Sequence, residues 1–336
     1  MRRNPLPGVP AIESPFFEDV FVREHFNEQE LAIARQLRDK GYAVLDFPDA
    51  DIQLKAQQIK TALHDRYPWG KWRTGDADMR LLDAWKFDSN VRAIATNQSV
   101  LELLSRLYGR RAWPFQTLNF PVGTQQHFHT DSIHFSSVPE RFMCGVWLAL
   151  EDIGPDQGPL EYYVGSHRWP IYTNEHVGFV PQQLKGHDQS MYHELWERLV
   201  EKTRVPRETF HARKGQALIW TSNLLHGGSP HLDKSKTRWS QVTHYYFEDC
   251  AYYQPINSDP FRGLIKFKQP IDLTTLQKII PSFSSRRVPR RFVAAAKLGF
   301  ERFAKLNGFR HRIAKDLNRA RSKLMNRPRA AREVEP

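Results

Sequence analysis

The chain has 336 residues and a formal net charge of +12 at pH 7, and 40% of its residues are hydrophobic. This length and composition argue against wholesale disorder and allow one large domain with an appendage. Cys144 and Cys250 lie far apart in the sequence, and no apolar run reaches the length of a signal peptide or a membrane span. We therefore expect a cytoplasmic protein without a disulfide framework or a cysteine-rich zinc site.

The first third of the chain is predicted to be helical with one strand. Residues 1–25 contain several prolines and predict an irregular N-terminal arm that wraps the domain or stays loose. Asn27 and Glu30 form the pattern of a capping box at the start of a helix, and Gly41 is placed to end that helix. Residues 42–47 then have the composition of a strand.

Further along, helices are predicted over 51–66 and 89–108 from apolar residues at helical spacing. After Trp113 the sequence changes to short runs rich in β-branched and aromatic residues, which predict an antiparallel sandwich or barrel. Residues 172–206 interrupt these runs, with a helix near 189–202, and such an insertion typically forms a lid or a substrate wall. The candidate strands are 113–120, 141–150, 159–164, 207–212, 216–221 and 238–248.

A candidate metal site begins with the His-x-Asp element of His129 and Asp131. In an extended chain residues i and i+2 point to the same side, so the imidazole and the carboxylate can converge on one ion. A second histidine would complete a facial triad, which leaves open positions on Fe(II) for a chelating co-substrate and O2. Our candidate is His226, which follows an apolar strand and precedes two glycines, and His231 is the fallback.

Arg238 and Ser240 follow His226 at the start of the next predicted strand. A buried guanidinium can bind a carboxylate through two parallel hydrogen bonds, and a serine on the same face can add another. This pair fits the distal carboxylate of 2-oxoglutarate. A lone His-x-Asp is more often an ordinary hydrogen-bonded pair, so the order of the three motifs carries the prediction. His127 alternates onto the face of His129, and we interpret it as a supporting or pocket residue rather than a ligand.

Over about residues 28–248 these motifs resemble the phytanoyl-CoA dioxygenase family of Fe(II)- and 2-oxoglutarate-dependent oxygenases. The resemblance implies a mainly β fold with flanking helices around a double-stranded β-helix core of the jelly-roll or cupin type. It implies that His129, Asp131 and His226 hold Fe(II), with 2-oxoglutarate and O2 as co-substrates. Arg238 would then anchor 2-oxoglutarate.

The family resemblance is particularly specific in the stretch 158–169, Gly-Pro-Leu-Glu-Tyr-Tyr-Val-Gly-Ser-His-Arg-Trp. Its Gly-Ser-His-Arg part is interpreted as a turn that closes a strand. Gly228 departs from the family, in which a serine two residues after the distal histidine is common. Asp131 favours hydroxylation, because halogenases of the family carry a small residue there. Other residues that the resemblance places near 2-oxoglutarate are Thr130, Trp147, for which core packing is an equal explanation, and Ser229.

The positive charge is concentrated at the C-terminus. Residues 286–336 hold 16 Lys and Arg against 4 Asp and Glu, so this tail carries the whole excess. Apolar residues recur near helical spacing from Phe292 to Leu324 with basic residues between them, which predicts a basic amphipathic helical tail. Such a helix can lie on an anionic membrane or pack on the domain by its apolar face. Nucleic acid is a weaker candidate, since the body shows no recognisable nucleic-acid module.

We thus divide the chain into an arm (1–25), an oxygenase domain (26–285) and the basic tail (286–336). The predicted function is hydroxylation of a small-molecule or lipid-like substrate. Membrane contact through 286–326 would place the enzyme on the inner face of the membrane and favour a lipid or a lipid-linked glycan. The alternatives are a hydroxylase of a soluble metabolite or acyl thioester, and a non-catalytic β-sandwich that binds a membrane or a glycan. The oligomeric state is left open.

Overall fold

The computed structural model describes residues 4–74, 79–179, 189–284 and 286–287. In these ranges the α-helices are α1 (Phe17–Val20), α2 (Glu28–Lys40), α3 (Ile52–Leu63), α4 (Trp69–Thr74), α5 (Ser89–Ala95), α6 (Gln98–Tyr108) and α7 (Ser190–Thr203). The strands up to the middle of the chain are β1 (Tyr42–Asp46), β2 (Leu81–Leu82), β3 (Ala112–Phe120), β4 (Ser136–Val138), β5 (Met143–Ala149) and β6 (Leu160–Tyr163). The later strands are β7 (Arg207–Phe210), β8 (Gln216–Thr221), β9 (His226–Gly228), β10 (Ser240–Phe247), β11 (Ala251–Tyr253), β12 (Ile271–Asp272), β13 (Gln277–Lys278), β14 (Ser282–Phe283) and β15 (Arg286–Arg287).

Two antiparallel sheets form the core. The larger sheet has the strand order β1-β8-β5-β10-β3-β2, and the smaller has the order β7-β6-β9. Because alternate side chains of a strand point to opposite faces, the larger sheet has two buried surfaces. One surface packs with the helices α2, α3, α5 and α6, and the other packs against the smaller sheet. The predicted mainly β fold with flanking helices and a double-stranded β-helix core is confirmed.

The beginning and the end of helix α2 follow the sequence prediction. The Asn27 side chain accepts a hydrogen bond from the Glu30 amide, and the Glu30 carboxylate accepts one from the Asn27 amide. Gly41 ends the helix with a φ of 87°. A Cβ atom on Gly41 would lie 2.5 Å from Nδ1 of His167, so the glycine also makes room for the turn in the 158–169 stretch.

The single helix predicted over 89–108 is wrong, because the structure has two helices, α5 and α6, in its place. The Asn97 side chain accepts a hydrogen bond from the amide of Val100 and so caps the start of α6. Thr96 and Asn97 thus interrupt an apolar pattern that continues across the break. An asparagine that caps a new helix prevents the preceding one from continuing through it.

The described part of the N-terminal arm lies on the domain. Ile12 and Phe17 are fully buried, and Glu13 forms an ion pair with Arg141 at 3.3 Å. Burial raises the pKa of Glu13 in spite of the lowering effect of Arg141. Arg141 in turn donates to the carbonyl oxygens of His167 and Trp169 at 2.8 and 3.0 Å. The arm is therefore connected through one arginine to the 158–169 stretch.

The described residues of the 172–206 insertion include helix α7, as predicted. Tyr192 and Trp196 of this helix pack with Ile133 and Leu225 in one apolar cluster. Ile133 and Leu225 lie beside the predicted metal ligands, so α7 covers the outer side of the ligand segments. Residues 180–188 of the insertion lie outside the described residues.

Two other sequence predictions concern the termini and the thiols. The predicted helical tail spans 286–336, and the structure describes only its first two residues, which form the strand β15 instead of a helix. The amphipathic stretch 292–324 and the rest of the predicted membrane contact lie outside the described residues. Cys144 and Cys250 are buried thiols that are not bonded to each other. Within the described ranges, we find no helix that is both long enough and apolar enough to cross a membrane.

Candidate metal centre

The backbone brings His129 and His226 together. The two residues form an antiparallel bridge, with amide-to-carbonyl hydrogen bonds of 2.9 and 3.0 Å in the two directions. Their imidazole centroids lie 4.4 Å apart. The ligand atoms of His129, Asp131 and His226 all lie within 4.8 Å of one another, and all three side chains are buried. The three residues predicted from the sequence thus form one cluster.

Each imidazole has one nitrogen fixed by the backbone. Nδ1 of His129 donates to the carbonyl oxygen of His127 at 2.9 Å, and Nδ1 of His226 donates to that of Leu224 at 3.0 Å. Nε2 is therefore the nitrogen that remains for a metal in both rings. Burial, with the neighbouring His226, lowers the pKa of His129 to about 3, which keeps this imidazole in the neutral form that a metal requires.

The carboxylate of Asp131 is oriented by the larger sheet. Its Oδ2 accepts a hydrogen bond from Nε1 of Trp220 at 2.7 Å, and Nε2 of His244 lies 3.6 Å from the same oxygen. Burial alone would raise the pKa of Asp131. The surrounding imidazoles, that of His244 first, and the Trp220 N–H outweigh burial and hold this pKa below its usual value. The residue is thus an anionic ligand at neutral pH.

Thr130, predicted near the co-substrate, lies between the two ligands but points elsewhere. Its hydroxyl is 3.0 Å from that of Ser132, which donates to the Asn223 side chain at 2.8 Å. The Asn223 amide donates to the carbonyl oxygen of Trp169 at 2.8 Å. Thr130 therefore supports the ligand segment from its far side, and its contact with 2-oxoglutarate stays a prediction that this position does not favour.

The turn at 165–168 supports the other ligand segment. Gly165 has a φ of 83°, and the Ser166 hydroxyl donates to the carbonyl oxygen of Tyr163 at 2.7 Å. The same hydroxyl accepts a hydrogen bond from the amide of Leu225, the residue before His226, at 2.9 Å. The predicted strand-closing turn is present, and it positions both segments that carry the metal ligands.

Arg238 is buried, and no described acidic residue forms an ion pair with it. Its Nη1 donates to the Ser240 hydroxyl at 3.2 Å, and its Nε has no hydrogen-bond partner within the described residues. The guanidinium lies 5.1 Å from the ring centroid of Trp147. Burial lowers the pKa of Arg238 to about 10. A buried cation with unused donors is costly unless a ligand supplies the counter-charge, so this group is suited to a carboxylate.

The other predicted co-substrate contacts have different positions. Trp147 lines the same cavity as Arg238, and Ser240 is on the cavity side of β10 because it alternates with Val242 and His244. The Ser229 hydroxyl is buried without a hydrogen-bond partner in the described part of the chain, and Ser229 is not among the residues that line the cavity. The structure thus groups Trp147 and Ser240 with Arg238 but leaves Ser229 apart.

The remaining candidate histidines have structural contacts. Nδ1 of His231 accepts a hydrogen bond from the amide of Gly123 at 3.0 Å, and its Nε2 faces the carbonyl oxygen of Asp233 at 3.0 Å. The fallback ligand therefore lies outside the cluster. The His127 ring is tilted against that of His193, with centroids 4.8 Å apart, and it is the backbone oxygen of His127 that supports His129.

The cluster opens into a cavity of about 680 Å³. Its walls come from both sheets, from the segment after Asp131 and from the segment after β11. Sequence reasoning missed Trp220, His244 and Lys268, although alternation along β10 places His244 on the face of Ser240. The lining residues are Arg80, Leu82, Gln116, Leu118, Phe120, Thr124, Gln126, His129, Asp131, His134, Phe135, Trp147, Leu160, Gln189, Trp220, His226, Gly227, Arg238, Val242, His244, Gln254 and Lys268.

Two histidines and an aspartate in a double-stranded β-helix, beside a buried arginine with no acidic partner in the described part of the chain, define the site of a non-haem iron protein that binds a carboxylate co-substrate. The residues present fit Fe(II), since both imidazoles offer Nε2 and Asp131 is ionised. The chain belongs to the phytanoyl-CoA dioxygenase family, whose model matches residues 22–238.

Solved structures share the fold. The 2-oxoglutarate-dependent carbocyclase SnoK from nogalamycin biosynthesis is 14% identical, with a TM-score of 0.54 over 75% of this chain and 96% of that chain. The epimerase SnoN, in complex with Fe3+, 2-oxoglutarate and nogalamycin RO, is 18% identical, with a TM-score of 0.52 over 77% and 97%. EctD from S. alaskensis, with 2-oxoglutarate and 5-hydroxyectoine, is 17% identical, with a TM-score of 0.52 over 74% and 84%. A comparison with curated proteins gave no significant match.

Proposed function

We propose that the protein is an Fe(II)- and 2-oxoglutarate-dependent oxygenase that hydroxylates an organic substrate. The observation that carries this proposal is a single cavity with two complementary features. One is the ligand cluster of His129, Asp131 and His226, and the other is the buried Arg238, which has no acidic partner in the ranges that the structure describes. A buried arginine with a purely structural role would need an acidic side chain of the protein as its partner. In a co-substrate site the place of that partner is left for the carboxylate of the bound molecule.

Each residue has a defined task. The triad would hold the metal, while Arg238 and Ser240 would bind the distal carboxylate of 2-oxoglutarate. Trp147 lies against the guanidinium and restricts its position. When bound, Fe(II) and 2-oxoglutarate would supply the electrons that activate O2 for oxidation of the substrate. Leu160 and Val242 line the same cavity as Arg238, and their apolar side chains help to exclude water from it.

Hydroxylation is the finer part of the proposal. Asp131 supports it, because a carboxylate at this position occupies the place that a halide would need. The fold also occurs in an epimerase and a carbocyclase, so the outcome at the substrate needs its own test. We suggest comparing metabolites and lipids of cells with and without the gene under isotopically labelled O2. A product that gains one labelled oxygen atom supports hydroxylation, whereas a product that loses only hydrogen refutes it.

The substrate class is a separate question. A lipid or lipid-linked glycan at a membrane surface is a hypothesis that depends on the basic tail, whose residues from 288 onward are outside the described ranges. Salt-sensitive binding to anionic vesicles, without binding to RNA, would support it. A soluble metabolite or an acyl thioester is the alternative. A non-catalytic binding protein is disfavoured by the intact triad and by Arg238, and uncoupled succinate production from 2-oxoglutarate would eliminate it.

A further inference from the structure

The cavity is also lined by Lys268, a cation that serves neither the metal nor 2-oxoglutarate in our proposal. Its backbone amide donates to the carbonyl oxygen of Tyr252 at 2.8 Å, which fixes the segment after β11 against the domain. The ammonium lies 4.2 Å from the ring centroid of Phe135, which also lines the cavity. Burial lowers the pKa of Lys268 to about 8, so the side chain is still mainly charged at neutral pH.

Lys268 has no acidic partner within the described residues. The acidic side chain that lines the cavity in these ranges is Asp131, which is already directed at the histidine ligands. The aromatic face of Phe135 offsets part of the cost of burying an ammonium group, but it supplies no counter-charge. An anion that enters the cavity would supply that charge.

Lys268 is connected to the metal ligands through two intervening side chains, those of Phe135 and His244. The Phe135 ring contacts both Lys268 and His244, with 5.0 Å between its centroid and that of the imidazole. Nε2 of His244 is 3.6 Å from Asp131. A molecule held by Lys268 and lying along Phe135 would therefore extend toward the metal ligands.

The charges in the cavity indicate what that molecule carries. In the proposed function the two charges of Fe(II) are balanced by Asp131 and by the chelating carboxylate of 2-oxoglutarate, and Arg238 is balanced by the distal carboxylate. Among the described residues, no acidic group is then left to balance the charge of Lys268. On the basis of the proposed function, we propose that the substrate carries an anionic group, a carboxylate or a phosphate, that binds to Lys268.

The test separates metabolites by charge. A cell extract is divided on an anion exchanger, and each fraction is added to the protein with Fe(II), 2-oxoglutarate and O2. Succinate formation above the uncoupled rate should appear with the retained, anionic fraction. It should fall about tenfold or more in Lys268→Met and be partly restored in Lys268→Arg. The exposed Lys278→Gln should match the wild type. Phosphatase treatment of the fraction distinguishes a phosphate, whose effect is lost, from a carboxylate, whose effect persists.

A second readout does not depend on turnover. In the anaerobic Fe(II)- and 2-oxoglutarate-loaded protein, acetylation by an uncharged reagent is followed at Lys268 and Lys278 by peptide mass mapping. The anionic fraction should slow the reaction at Lys268 alone. Stimulation by the neutral fraction, an undiminished response in Lys268→Met, or absence of protection at Lys268 would each overturn the proposal. Failure of the proposed function is distinct, because the wild type would then lack the anaerobic 2-oxoglutarate charge-transfer band itself.

Discussion

Nε1 of Trp220 in β8 donates to Oδ2 of Asp131 over 2.7 Å, and so the larger sheet orients a ligand that the chain places outside it. The contact depends on Gly145, which faces both Trp220 and His244 in the strand register. A Cβ atom on Gly145 would lie 2.3 Å from the Trp220 ring. The orientation of the carboxylate therefore depends on a position that has no side chain.

Trp220→Phe should weaken metal binding while preserving the fold. The change removes the N–H that holds Asp131 and keeps most of the ring, so we expect the affinity for Fe(II) to fall about tenfold or more. A chelator competition titration measures this. Trp147→Phe is the matched control in the absence of 2-oxoglutarate, because the Trp147 N–H has no hydrogen-bond partner among the described residues. Equal affinities in the two variants would contradict the assigned role of Trp220.

Gly145→Ala should disturb the orientation of Asp131 by displacing Trp220. The added methyl group forces the Trp220 ring to move, which we expect to cost about 1–3 kcal/mol of unfolding free energy and to lower the metal affinity. Denaturant unfolding and the chelator titration give the two quantities. Gly154→Ala is the control, since a Cβ there would come no closer than 3.4 Å to another side chain. A variant as stable as the control, with normal affinity, would show that the sheet tolerates the methyl group.

Arg238→Met should separate co-substrate binding from metal binding. The loss of a charge-assisted, two-point contact should raise the Kd of 2-oxoglutarate by about 30- to 100-fold, with little change in Fe(II) affinity. Arg238→Lys should restore only part of the loss, because an ammonium group lacks the planar fork. Binding is measured by the anaerobic charge-transfer band. An unchanged Kd in Arg238→Met would place the co-substrate elsewhere, and exposed Arg213→Met serves as the control.

The buried His167 predicts how the stability depends on pH. Burial lowers the pKa of His167 from 6.5 to about 4, so between these values the unfolded chain binds a proton that the folded chain excludes. The free energy of unfolding should therefore decrease as the pH falls through this window, by up to about 3 kcal/mol from this group. His167→Gln retains a donor for the carbonyl oxygen of Arg38 and should show a shallower dependence. Identical pH profiles for the two proteins would refute this assignment.

The ligand set could be predicted because its signals are local. The two-residue spacing of His129 and Asp131 and the strand before His226 are visible in the sequence without knowledge of the fold. The capping box at Asn27 was predictable for the same reason. The cap at Asn97 was equally visible, but the apolar periodicity that runs across it indicated one helix and concealed the break.

The residues that complete the site could not be predicted in this way. Trp220 meets Asp131, and Lys268 meets Phe135, only because segments distant in sequence come together in the folded chain. One residue of slip would turn a strand's side chains to the other face, so no local pattern specifies such contacts. Thr130 is the opposite case, because the family resemblance placed it near 2-oxoglutarate, whereas its hydroxyl lies 3.0 Å from that of Ser132.

The central claim is that His129, Asp131 and His226 hold an iron that binds 2-oxoglutarate. The most direct measurement is the visible spectrum of the anaerobic protein titrated with Fe(II) and then with 2-oxoglutarate. We expect a weak charge-transfer band that saturates in the wild type, persists in the exposed variant His211→Ala and is abolished in His226→Ala. A wild-type protein without the band, or a His226→Ala variant that retains it, would contradict the account.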